Sequence, residues 1–146
     1  MSAFWIWFYS SLRKAGWIPV AAFLLHLLNS KVLGIYGAYP HMDVPMHLLG
    51  GVTIAFFFWR SVSIGEAKPV LGPMTPFGRF LLALTGLGAS TVLWEFLEWT
   101  GDSMGISEAQ AGLNDTMFDM LMGIVGGLMI LVWVLVRDLK ASAMRA

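Results

Sequence analysis

The sequence predicts an all-α, polytopic membrane protein: a four-transmembrane-helix bundle preceded by a short N-terminal interfacial helix. Three observations support this. Of 146 residues, 58% are hydrophobic and only 12% charged, against about 25% charged in an ordinary soluble domain. Four apolar stretches, about residues 17–36, 44–64, 80–99 and 115–137, each approach the roughly 20 residues needed to cross a hydrocarbon core. The charged residues, finally, are sorted by sign between the two ends of these stretches. A chain of this length is expected to form one membrane domain, 1–146, because the connection over 65–79 is too short to hold another.

The elements follow in order. Phe4-Trp5-Ile6-Trp7-Phe8-Tyr9 opens the chain with aromatic residues, and Arg13 and Lys14 come after it. A signal peptide carries its cations before the apolar run, so this stretch reads as an interfacial helix at headgroup level. Pro19 and Pro45 stand near the starts of the first and second spans, where a missing N–H costs nothing. Gly65, Pro69, Gly72, Pro73 and Pro76 mark the second connection, and Gly101, Gly105 and Gly112 the third. In lipid each segment must satisfy its own backbone hydrogen bonds, which selects helices.

Eight of the nine Lys and Arg fall on one side of this up-and-down arrangement: Arg13, Lys14, Arg60, Lys68, Arg79, Arg137, Lys140 and Arg145. Lys31 is the exception. The positive-inside rule makes that side cytoplasmic, with both termini inside, in the inner membrane of a bacterium. Seven of the nine acids lie toward the other side.

Helical spacing brings several of those acids together. Glu95, Glu98 and Asp102 are spaced i, i+3, i+7 and share a face. Asp43 and His47 are spaced i, i+4, with Gly51 continuing the line inward. Asp115 and Asp119 repeat that spacing, with Gly123 and Gly127 below them. Small residues let membrane helices pack closely, so these polar lines point into the bundle, while Leu128 on the opposite side of its helix faces lipid. Buried carboxylates repel one another and must be offset by a cation, by shared protons or by a partner.

Asp43, His47, Glu95, Glu98, Asp115 and Asp119 are therefore candidate metal ligands, with Asp102 and His26 as possible additions. Carboxylate oxygens with an imidazole suit a divalent metal such as Zn²⁺, Mn²⁺, Fe²⁺ or Mg²⁺. Glu95 and Glu98 are the candidate catalytic groups for a reaction on a lipid headgroup or another phosphate-bearing substrate. Two alternatives stay open. One is a non-catalytic subunit of an oligomer or larger membrane complex, with the acids as a hydrogen-bonded network. The other is a metal or proton transporter, against which stands the lack of ionisable residues over 52–59 and 120–136. His26 and Asn29 read as interhelical hydrogen-bonding groups, Lys31 as a side chain snorkelling to the headgroups, and Trp94 and Trp99 as interfacial anchors. Zero cysteines exclude thiolate sites, and zero net charge argues against a nucleic-acid partner; the expected partner is the bilayer.

Three motifs in order also carry a resemblance: Asp43-Val44-Pro45-Met46-His47-Leu48-Leu49-Gly50-Gly51, Trp94-Glu95-Phe96-Leu97-Glu98-Trp99, and Asp115-Thr116-Met117-Phe118-Asp119 running on to Gly123. Over about residues 20–136 the chain resembles the YjdF-like family of small bacterial inner-membrane proteins and, more distantly, VanZ-like proteins. The resemblance implies the topology and the motif list. It implies no reaction, and His26, Asn29 and Lys31 match no pattern in it.

Overall fold

A computed structural model describes residues 1–144, and every long element in it is helical. Helix α1 is a continuous helical run, Ala3–Val32. Two single π-helical turns, Leu12–Gly16 and Leu28–Val32, are set into its α-helical turns. The aromatic N-terminal segment is thus joined to the first span. Ala15 and Gly16 are buried, and Gly16 approaches Phe57 of the next helix, so their small size serves packing. The run ends before Tyr36 because Gly34 adopts φ +62°, a left-handed conformation that reverses the chain. Tyr36 instead sits in a separate short helix, Ile35–Ala38.

Helix α2 is Asp43–Ser63, entered through a 3₁₀ turn at Pro40–Met42. Helix α3, Pro76–Ser103, starts on Thr75, whose hydroxyl accepts the Gly78 N–H at 3.0 Å. Helix α4 is Leu113–Ala143. Both α3 and α4 extend beyond their apolar stretches. At 28 and 31 residues they measure about 42 and 47 Å, more than a hydrocarbon core of about 30 Å, so their polar ends reach the headgroups.

Ala3–Val32, Pro76–Ser103 and Leu113–Ala143 are each long and apolar enough to cross a membrane. Helix α2 qualifies only together with Gly65–Leu71, which turns away from it by 68°. The reason lies in its position. Helix α2 packs against each of the other three long helices. A helix surrounded by protein can carry Asp43, His47, Thr53, Ser61 and Ser63, because few of its side chains meet lipid.

Helices α2 and α4 run parallel and make the most extensive interface. Gly51 lies on the Gly123 carbonyl, and Gly126 on the Leu48 carbonyl, so closely that any Cβ would overlap backbone. Below this contact, Ala55 and Trp59 of α2, Ala83 and Leu87 of α3, and Leu131 and Val134 of α4 form the core. Leu128 is half-buried rather than turned fully to lipid, because α3 and α2 flank a wider arc of α4 than the glycine line alone marks.

The basic end is tied by its own pairs. Lys14 meets Glu66 at 2.7 Å, and Arg79 meets Asp138 at 3.3 Å while its guanidinium covers Trp59. Trp7 Nε1 donates to the Ser61 carbonyl at 2.7 Å, fastening the start of α1 to the end of α2. Arg145 falls outside the described residues.

Candidate metal centre

At the opposite end, His47 is the hub. One turn below it Gly51 packs on Gly123, which draws α2 and α4 together and sets His47 opposite Asp119. Its Nε2 lies 3.3 Å from Asp43 Oδ1 and 3.8 Å from Asp119 Oδ1. Asp119 is 4% exposed. From α3, Glu95 and Glu98 reach the same imidazole. The ligand atoms of Asp43, His47 and Asp119 lie within 4.8 Å of one another, and so do those of His47, Glu95 and Glu98. Four carboxylates from three helices thus surround one ring.

The two glutamates are also hydrogen-bonded within the chain. Glu98 Oε1 accepts from Trp94 Nε1 at 2.9 Å. Glu95, 4% exposed, accepts from Gln110 Nε2 at 3.3 Å. Gln110 was missed from the sequence, since it sits in a loop with no periodicity to place it. Trp94, expected as an interfacial anchor, donates to Glu98 and stands edge-on to His26, with ring centroids 5.6 Å apart.

The remaining candidates are near but separate. Asp115 Oδ2 accepts the Ala111 N–H at 3.0 Å, one turn above Asp119, and is not in either triad. Asp102 lies in neither: its carboxylate accepts from Ser107 Oγ and from the Ala109 and Gln110 N–H groups, organising the loop between α3 and α4. His26 also lies in neither, and its Nδ1 is 3.0 Å from the Tyr36 hydroxyl. Asn29 is buried with its amide 3.8 Å from Met46 Sδ of α2. Trp99 is 60% exposed. Lys31 is exposed and makes no ion pair among the described residues. No lysine or arginine therefore pairs with the carboxylates around His47 among the described residues.

Residues 3–140 match the family described as "Predicted membrane protein (DUF2238)". A Thermotoga maritima protein described as "Uncharacterized protein" is 29% identical over 103 residues, covering 70% of this chain. The chain spans about half the length of that curated relative, 52%. No solved structure matches. The family match bears out the resemblance to small membrane proteins carried by the three motifs.

Proposed function

We propose, given that the chain belongs to the DUF2238 family of predicted membrane proteins, that it spans the membrane four times with both termini in the cytoplasm and binds a divalent metal at its outer end. The observation carrying this is His47, shared by two groups of three side chains that could ligate a metal, with no paired lysine or arginine among the described residues. A divalent cation attracts all five groups at once, and hard or borderline ions suit their oxygen-rich set. Asp43, His47 and Asp119 would hold the ion, with Glu95 and Glu98 on its α3 side. A bound cation supplies a Lewis acid for a phosphoryl oxygen, and a glutamate freed from Trp94 or Gln110 would serve as general base.

One observation favours a second reading. Glu95 and Glu98 each already accept a hydrogen bond from a neutral donor of the chain, which suits a structural acid network in a larger membrane assembly. Transport is disfavoured: beneath His47 the Gly51–Gly123 backbone contact closes the α2–α4 interface, and no ionisable residue continues inward on either helix over 52–59 or 120–136.

Metal analysis of the detergent-purified full chain tests the reading. Wild type should carry about one divalent ion per chain, and His47→Ala and Asp119→Asn should each lose it. Glu108→Gln, changed in an exposed loop residue, should keep it. Wild-type protein that binds no divalent ion after dialysis against Zn²⁺ or Mn²⁺ would leave the structural network as the reading.

A further inference from the structure

Two cavities share a wall beside His47. The outer one is about 750 Å³, within the roughly 300–1,000 Å³ of small-molecule sites. Its apolar walls include Leu27, Leu97 and Ile106. Aromatic rings complete them. Phe23, His26 and Trp94 line both cavities, and Tyr36 lines the outer one. Phe23 stands edge-on to Trp94 with centroids 5.8 Å apart, and His26 packs between Trp94 and Tyr36.

The charge of the outer cavity is one-sided. Asp43, Glu98, Glu108 and Asp115 line it against Lys31. Lys31 makes no ion pair with any of them among the described residues. Glu95 and Asp119 line the inner cavity behind. A divalent ion at His47 would therefore still leave the walls with an excess of carboxylates. Glu98 and Asp115 each keep one oxygen without a hydrogen bond, because Trp94 bonds Oε1 of the first and the Ala111 N–H bonds Oδ2 of the second.

A further polar group lacks a partner. Ser30 lines the outer cavity, and its Oγ is buried with no hydrogen bond. Ser11, earlier in α1, returns its hydroxyl to the Trp7 carbonyl four residues back. Ser30 lies in the π-helical turn Leu28–Val32 and makes no such bond. Buried hydroxyls are ordinarily satisfied, so an orphan on a cavity wall points to a ligand group that meets it.

We propose that the outer cavity binds a small organic ammonium ion with an apolar body. The ammonium lies against the open oxygens of Glu98 and Asp115, with Ser30 as a further acceptor. The body lies against Phe23, Tyr36 and Trp94, whose ring faces attract a cation as well as apolar groups. An anion would meet four carboxylates. An inorganic cation would leave the rings and apolar walls unused. The proposal does not rest on the metal reading, because Phe23, Ser30, Tyr36 and Asp115 belong to neither ligand triad.

The test is equilibrium dialysis of radiolabelled benzylammonium against the detergent-purified full chain, with bound metal measured in parallel. Unlabelled benzylammonium should compete, whereas benzyl alcohol and benzoate should not. Glycerophosphoethanolamine should not compete either, because its phosphate meets the same carboxylates. Phe23→Leu keeps an apolar side chain and removes the ring, and should weaken binding about threefold or more. Asp115→Asn should weaken it about two- to fivefold. Lys31→Gln removes the like charge and should tighten binding about two- to fivefold, a change that misfolding cannot imitate. The proposal is overturned if wild type binds no benzylammonium, if benzyl alcohol or benzoate competes equally well, or if Lys31→Gln weakens binding. Competition by glycerophosphoethanolamine would overturn the choice of a phosphate-free ammonium. Metal without benzylammonium defeats this proposal alone. Benzylammonium binding by a chain that holds no metal defeats the metal reading alone.

Discussion

His47 of α2 faces Asp119 of α4 across 3.8 Å, one turn above the place where Gly51 and Gly123 bring the same two helices into backbone contact. The polar pair and the glycine pair share one register. Spacing of these polar groups therefore depends on a packing contact that bears no charge.

Adjacent glycines in α2 give a matched comparison. A Cβ on Gly51 would overlap the Gly123 backbone, whereas a Cβ on Gly50 meets nothing within 4 Å. Gly51→Ala should destabilise the protein by about 1–3 kcal/mol and reduce bound metal. Gly50→Ala should be neutral or stabilising by up to about 1 kcal/mol, since alanine favours helix. Thermal unfolding in detergent reads both. Equal melting temperatures for the two variants would remove the close α2–α4 contact from the account.

Asp102 separates loop order from metal binding. Its carboxylate accepts from Ser107, Ala109 and Gln110 but lies in neither ligand triad. Asp102→Ala should raise hydrogen exchange at the Ala109 and Gln110 amides about tenfold or more, from the loss of about 1.4 kcal/mol of hydrogen bonding. Bound metal should stay at the wild-type level. Metal lost with unchanged exchange would place Asp102 in the site.

Arg79 links three helices at the basic end: its guanidinium lies 3.3 Å from Asp138 of α4 and 5.5 Å from the Trp59 ring centroid of α2. Arg79→Leu should cost about 2 kcal/mol, because it leaves Asp138 without this partner and removes the cation from the ring. Arg79→Lys should recover only part, since an ammonium cannot lie flat on the ring and reach the carboxylate with the same fork. A lysine variant as stable as wild type would show that charge alone matters.

Acid should loosen the N-terminal part of α1. The hydrogen bond from Lys14 holds the exposed Glu66 carboxyl below its ordinary pKa of 4.5. A carboxyl lowered on folding stabilises the folded arrangement above its ordinary pKa, and that contribution disappears as pH falls through the lowered value. Spin labels on Leu12 and Lys68 should give a narrow distance distribution at neutral pH and a broad one below about pH 4. Lys14→Met should be broad at both. A distribution unchanged by acid in wild type would show that Trp7 on the Ser61 carbonyl holds the segment unaided.

Composition and period by themselves determined that the chain is helical and membrane-embedded, because lipid leaves few choices to an apolar segment of about 20 residues. The i, i+4 lines of Asp43, His47 and Gly51, and of Asp119 and Gly123, also pointed to faces that do meet. Periodicity relates residues within one helix, so it could not set the register between helices. Only the tertiary structure decided that His47 is shared by α3 and α4 carboxylates, and that Gly126 joins Gly123 at the interface. It also decided that Asp115 and Asp102 bind loop amides, and that Gln110 reaches Glu95. The continuity of α1 through Arg13–Gly16, and its end at Gly34, were settled the same way. Small residues can break a helix or press it against a neighbour, and the neighbour that decides between these lies far away in sequence.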